Sequence, residues 1–453
     1  MIINKYNISH IIDARRLDPI FFRYDTKRFG TIYPLVSVGS CVVDMQSGIG
    51  AGKEEQADEK TGIIHIRPTN IDKEGCLIYD RNVYVPVNAN IPTLSEDDIL
   101  FNNTNSQELV GKTAILKENR QLMFSNHITR IRVNKSCIIP EYLWIILNIY
   151  QQERIFFSIC TNWNNQSGIG IDLLKSVKIP LPPIEIQQQI VDIYSTAQKA
   201  KHAKEKQAKV LLNSVQNELG KILGITQAQE FVPAYKLHIK DIIGDRLDVK
   251  FHNPRYIDYI KSISRSTYYR LGDIVEFSSE TWNQKDIFET HFPYIEIGAI
   301  DTTTGEIIDI SNVEIGKAPS RAKKIVRHND IIVSTTRPNR GAISIVDNEV
   351  CIASTGFSVI RDIKDIVLRE FLYIVLRLES SLEQMMQRSS GGNYPAITED
   401  ELKKILIPIP PLEVQRKVIN FVTENRRAVK QLQNESERLL GAVKVQIEKM
   451  ILG

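Results

Sequence analysis

The sequence is short of what catalysis usually needs. Its five cysteines, Cys41, Cys76, Cys137, Cys160 and Cys351, stand apart with no Cys-x-x-Cys pair, which argues against structural zinc and for a reducing compartment. Eight histidines are equally scattered, so no metal site is expected. No Gly-x-x-x-x-Gly-Lys-Ser/Thr loop occurs, which removes nucleotide binding of the Walker kind. No apolar run approaches the ~18 residues of a membrane span, and no signal-peptide pattern opens the chain. A cytoplasmic protein without membrane contact is expected. Neither sign of charge dominates: 57 Lys and Arg against 54 Asp and Glu leave +3 over 453 residues. Any basic surface is therefore local. With 42% hydrophobic residues, the chain is long enough for two or three domains, each with its own core.

What is present is a repeat. Pro180-Leu-Pro-Pro183-Ile-Glu-Ile-Gln187 returns as Pro408-Ile-Pro-Pro411-Leu-Glu-Val-Gln415, and the match continues in register through Leu211 with Leu439, Val215 with Val443 and Lys221 with Lys449. Upstream, Asp172, Leu174 and Lys175 answer Asp400, Leu402 and Lys403. The chain is written as two copies of one plan. Each copy begins with Arg-Leu-Asp, at Arg16 to Asp18 and Arg246 to Asp248, and carries a buried-looking helix, at Glu141 and Glu370. Short apolar runs broken by Gly, Asn, Asp and Pro predict strands and loops between these marks.

After each Pro-Pro stop the period changes to 4-3 steps, the signature of a helix burying a narrow seam against another helix. In the first helix the seam falls at 186, 190, 193, 197 and 200, then at 208, 212, 215, 219 and 222. The expected partition is 1–179, a spacer helix 180–225, a connector 226–245, a second domain 246–407, and a final helix 408–453. The basic face Lys199, Lys201, Lys204, Lys206 and Lys209 reads either as a solvated face or as a phosphate contact.

Two motifs imitate a methyltransferase. Val42-Val-Asp44 to Gly50 resembles a loop holding S-adenosylmethionine, and Asn253-Pro-Arg-Tyr256 an adenine-methylating tetrapeptide. The first is not followed by an amphipathic helix and the two lie in different copies, so both read better as turns. Loops rich in Arg, Asn, Gln, Ser and Thr carry a stronger signal, because these side chains read base edges or clamp phosphates. In the first copy the candidates are Arg67, Thr69, Asn70, Asn102, Asn103, Asn105, Lys112, Asn126, Asn164 and Gln166. In the second they are Asn283, Lys285, Arg321, Lys323, Lys324, Thr336, Arg337, Asn339, Arg340, Asn393 and Tyr394. Arg337 and Arg340 are of the type that holds guanine edges bidentately. The loops recur at equivalent places in both copies, which favours DNA binding over solvated turns.

Taken together, the Arg-Leu-Asp openings and the doubled strand-Pro-x-Pro-Pro-(Ile/Leu)-Glu-x-Gln motif resemble the specificity subunit of type I restriction–modification systems, over essentially the whole chain. The family's usual Glu before the Gln is replaced by Ile186 and Val414. The resemblance implies an α+β protein: two mixed target-recognition domains, an internal pseudo-two-fold repeat, and two long antiparallel helices forming a coiled-coil spacer. It implies a non-catalytic subunit that reads a bipartite site in double-stranded DNA. Two DNA methyltransferase subunits and a restriction/translocase subunit would dock on it, and S-adenosylmethionine, ATP and Mg would belong to those partners, with no cofactor here. The seam and docking residues would be Ile186, Gln187, Ile190, Leu211 and Val215, with Val414, Gln415, Val418, Leu439 and Val443. The alternative is a coiled-coil assembly scaffold without sequence-specific DNA reading.

Overall fold

The computed structural model describes residues 31–87, 93–163, 166–226, 228, 230–238, 246–283 and 287–452. The first Arg-Leu-Asp opening, Asn164 and Lys285 lie outside them. The chain divides into two compact units, one of Met1–Lys204 with Glu435–Gly453, the other of Glu205–Asn434. The division therefore passes through the two long helices, Ile184–Leu223 and Leu412–Leu452, and not at their ends.

In the first unit an antiparallel sheet runs Val42–Ser47, Ile128–Val133, Ile99–Asn102, Thr113–Ile115. A second sheet runs Tyr84–Pro86, Gly62–Ile66, Met123–Phe124, its last pair parallel. The strand Ile-Leu-Phe-Asn at 99–102 is buried throughout, as expected of an uninterrupted apolar run covered on both faces. One cover is the helix Pro140–Gln152, whose Tyr142 to Leu147 are all buried. Pro140 opens it, where a missing N–H costs nothing.

The second unit repeats this plan. Its antiparallel sheet runs Val275–Phe277, Phe357–Ile363, Ile331–Ser334, Ile343–Ile345, and a mixed sheet runs Ser311–Glu314, His291–Ile295, Val350–Ser354, Ala322–Arg327. In each unit a two-stranded pair closes the base: Leu35–Ser37 with Lys178–Pro180, and Tyr268–Arg270 with Leu406–Pro408. The pairs put the chain's entry beside the strand that launches the long helix.

Two interior details recur. Asp98 accepts from Arg132 Nε and Nη2 at 2.6 and 3.0 Å, and Asp330 from the same atoms of Arg361 at 3.1 and 2.8 Å. Both carboxylates are 2% exposed and also accept a backbone N–H, from Ser95 and Arg327. Gly75 and Gly305 take φ of +77° and +76°. A Cβ at Gly75 would meet Trp144 and Asn148, and one at Gly305 would meet Tyr373 and Arg377, so only glycine fits.

The two methyltransferase look-alikes are structural. Val42–Ser47 is an antiparallel strand followed by a three-residue turn of helix at Lys53–Glu55. Asn253 caps the helix Pro254–Ile263, accepting from Arg255 N.

Candidate nucleic-acid interface

Each long helix is pinned where it starts. Gln187 is fully buried; its Oε1 accepts from Ile139 N at 2.9 Å, while Nε2 donates to Pro182 O at 2.9 Å and Cys137 O at 3.3 Å. Gln415 repeats this, accepting from Leu368 N at 2.8 Å and donating to Pro410 O at 2.8 Å and Ile366 O at 2.9 Å. The expected role of these two glutamines as seam or partner-docking residues is corrected: their amides are spent inside their own unit.

In the first unit, Ile190 and Tyr194 of the first helix share a core with Ile447 and Ile451 of the second. In the second unit, Val215, Leu219 and Leu223 share a core with Val418 and Val422. The beginning of each helix meets the end of the other, so the two run antiparallel. Lys204 and Glu435 add an ion pair at 2.5 Å.

The expected seam is shifted. Ile190, Val215 and Val418 are buried as expected, but Ile186, Leu211, Val414, Leu439 and Val443 are only half-buried. Tyr194, Lys201, Leu223, Val422 and Val429 take the buried places. The cause is a second neighbour: Tyr194 meets Trp144 edge-on at 5.3 Å, so each helix packs on its domain as well as on its partner helix. Periodicity sums the two faces into one. The basic face changes too, because Lys201 is 5% exposed and pairs with Glu74 at 2.5 Å.

Both units present a rim built from two loops. In the second unit these are the loop leaving Ile331–Ser334 and the 389–397 loop. Thr335 O accepts from Ile397 N at 2.9 Å, Arg337 N donates to Pro395 O at 2.7 Å, and Thr336 bridges Ala396. Gly356 O accepts from Thr335 N, and Arg321 O from Thr355 N, both at 2.8 Å. Arg321, Thr336, Arg337, Asn339, Arg340, Asn393 and Tyr394 are thus brought to one edge, with Thr336 and Arg337 half-buried and the others exposed. Lys323 and Lys324 lie on the strand Ala322–Arg327, and Asn283 follows Trp282, whose N–H donates to Lys323 O.

In the first unit the corresponding loop leaves Ile99–Asn102, and the hairpin Thr161–Gly168 replaces the last loop. Gly168 pairs with Thr104 and Ser167 with Asn105. Gln166 and Asn126 are exposed and Asn105 half-buried at this rim. Thr69 is exposed, and Arg67, half-buried, lines a concavity of about 520 Å³ with Gly50, His65 and Asn126.

Four first-unit candidates are corrected. Asn70 is buried, accepting from Arg67 N and donating to Ile78 O. Asn102 is buried and donates to Leu109 O. Asn103 donates to Asn126 O and Thr129 Oγ1. Lys112 Nζ donates to Ile71 O at 2.5 Å and Pro68 O at 3.3 Å, and its burial lowers its pKa. All four brace loops from within through these bonds. Sequence reasoning also passed over Trp163, 46% exposed at the hairpin. The signal was available, since Trp163, like Tyr394, is an aromatic in a polar loop just before the duplicated Asp-x-Leu-Lys.

Among the described residues no cluster of metal-ligating side chains occurs, and no helix is long and apolar enough to cross a membrane. Two copies of one fold, each with a polar, aromatic-bearing rim and joined by shared antiparallel helices, define a duplicated recognition protein. The family model for the type I restriction modification DNA specificity domain matches residues 58–213 and 264–438. The chain belongs to that family.

Relatives agree. A putative type I restriction enzyme MjaX specificity subunit of Methanocaldococcus jannaschii is 28% identical over 362 residues, 79% of this chain and 78% of that one. The type I restriction enzyme HindI specificity subunit of Haemophilus influenzae is 32% identical over 161 residues, 34% of each chain. A solved type I restriction–modification S subunit from M. genitalium aligns over 93% of this chain and 96% of that chain, at 14% identity and a TM-score of 0.45. This chain is a type I specificity subunit: it selects DNA through two recognition domains, and catalysis lies in partner subunits.

Proposed function

We propose that each unit reads one half of a bipartite site through its two-loop rim, approaching the major groove with Arg, Asn and Gln side chains and an exposed aromatic. The observation that carries this is the recurrence of the rim. In both units the loop leaving Ile99–Asn102 or Ile331–Ser334 is hydrogen-bonded to the segment that precedes the Asp-x-Leu-Lys motif, and the joined segments hold an exposed Trp163 or Tyr394. Asn105, Asn126 and Gln166 serve the first half-site, and Thr336, Arg337, Asn339, Arg340, Asn393 and Tyr394 the second, with Arg67, Thr69, Arg321, Lys323, Lys324 and Asn283 on flanking phosphates. Asn164 and Lys285 keep their sequence-based assignment to DNA contact.

The exposed faces of the paired helices dock two adenine methyltransferase subunits, and a restriction/translocase subunit joins that complex in the cytoplasm. S-adenosylmethionine, ATP and Mg belong to those partners. The methyltransferase would flip its target base out of the stack; this chain supplies position.

The test is a map of methylated adenines in cells expressing the chain with its partner methyltransferase, with and without this gene. A split motif that disappears with the gene is expected. Methylation unchanged by its removal would overturn the reading in favour of a scaffold.

A further inference from the structure

We propose that Arg337 reads a guanine in the half-site of the second unit, and that Tyr394 positions it. The inference rests on the DNA-reading function proposed above and adds a base and a residue to it.

Arg337 has φ +49° and ψ 54°, a left-handed backbone that a non-glycine residue adopts at a cost. Two features keep it there. Its N–H donates to Pro395 O at 2.7 Å, and the following Pro338 disfavours the right-handed helical alternative. The backbone is thus held by the loop that also carries Tyr394.

The side chain is held as well. The guanidinium carbon lies 4.2 Å from the centre of the Tyr394 ring, and Nη2 donates to Asn393 O at 3.4 Å. Tyr394 is itself 69% exposed, so the stack stands at the surface. Among the described residues Arg337 makes no other side-chain hydrogen bond and no ion pair.

Stacking uses the face of a guanidinium and leaves its in-plane N–H groups free. Guanine is the base that offers two acceptors, O6 and N7, on one major-groove edge, and an arginine fork matches them bidentately. A phosphate contact asks only for charge on a flexible stem. A planar donor edge immobilised before binding suits directional readout, because its ordering has already been met in the free protein. Arg321, exposed on the same rim, is placed for a flanking phosphate. At the matching place in the first unit stands Asn105, paired with Ser167, so the assignment concerns one half-site only.

The experiment is adenine-methylation mapping with the full complex, using wild type, Arg337→Gly, Arg337→Lys, Tyr394→Ala and Asn105→Ala. The half-site of the second unit is identified by exchanging residues 246–407 for those of a relative. Arg337→Gly suits the left-handed backbone and removes only the side chain; thermal melting is expected to match wild type.

Expected is a loss of discrimination at one G·C pair in that half-site, on the order of 10- to 100-fold. The lysine variant should recover only part of it, because it lacks the fork. Tyr394→Ala should relax the same pair more weakly, and Asn105→Ala should leave it untouched. The proposal is overturned if Arg337→Gly lowers methylation uniformly without relaxing any position, or relaxes an A·T pair. It is equally overturned if the altered position falls in the other half-site. A wild-type map with no split motif would instead defeat the broader function.

Discussion

In the first unit the loop after the core strand is closed down by two asparagine amides, Asn102 to Leu109 O and Asn103 to Asn126 O and Thr129. In the second unit the same loop is closed by Ser334 and Thr335 hydroxyls to Thr336 O and Gly356 O. A short hydroxyl braces the loop without filling its space, and a left-handed arginine then projects from it. The frame beneath is the same in both: an aspartate–arginine fork, a glycine with positive φ under the helix, and a buried glutamine at the helix start. The difference teaches that the two copies diverged in the loops above these strands, while the fork, the glycine and the glutamine below them stayed the same.

Breaking the shared frame should affect both units alike. Val418 and Ile447 are both 0% exposed, one in each unit. An aspartate at either place buries an unpaired charge and should cost roughly 4 kcal/mol or more. Leu211→Asp and Leu439→Asp, at half-buried places, should cost clearly less. Hydrogen-exchange mass spectrometry reads the two units separately; equal losses for all four variants would refute the packing described here.

The fork sharpens the comparison. Removing the carboxylate strands a guanidinium where no second acid is near, an effect of about 3 kcal/mol. Asp98→Ala should therefore exceed Asp330→Ala, because Arg361 keeps an ion pair with Glu280 at 3.0 Å, whereas among the described residues Arg132 pairs with Asp98 alone. Denaturant unfolding with the same exchange readout checks the order.

The glutamine joints should be interchangeable in size. Gln187→Ala and Gln415→Ala each orphan one N–H and two carbonyls, for about 2 kcal/mol, and the two losses should agree. A loss confined to one unit would show that the joints are not equivalent.

The smallest effect separates the units by pH. Burial, then the charge of Arg67, holds His65 below its ordinary value of 6.5. As pH falls the unfolded chain takes the proton first, so stability is full above 6.5 and declines below it. Tyr294 stands at the matching place in the second unit, pairing with Ile352 as His65 pairs with Met123. Only the first unit should therefore loosen between pH 7 and 5. Exchange rates that rise equally in both units over that range would exclude His65 as the cause.

The duplication was legible because a Pro-Pro stop before a long helix is a strong local signal, and its return in register leaves little freedom. The helix at Pro140 was legible from its apolar run. The fork was not, because Asp98 and Arg132 lie on different strands and nothing local pairs them. The same holds for Cys41 and Cys137, isolated in sequence yet 3.3 Å apart between sulfurs. Asn70, Asn102, Asn103 and Lys112 were misread because residue type in a polar loop does not say whether the side chain points outward or braces the loop from within.

The glutamine joint also bears on how such a chain acquires new addresses. All of its bonds at Ile139, Cys137 and Pro182, and at Leu368, Ile366 and Pro410, go to main-chain atoms. A socket made of backbone does not register which side chains surround it. Any reader whose chain passes the same N–H and carbonyls past the helix start meets the same joint, and only the packing further along, as at Tyr194 on Trp144, has to be matched anew.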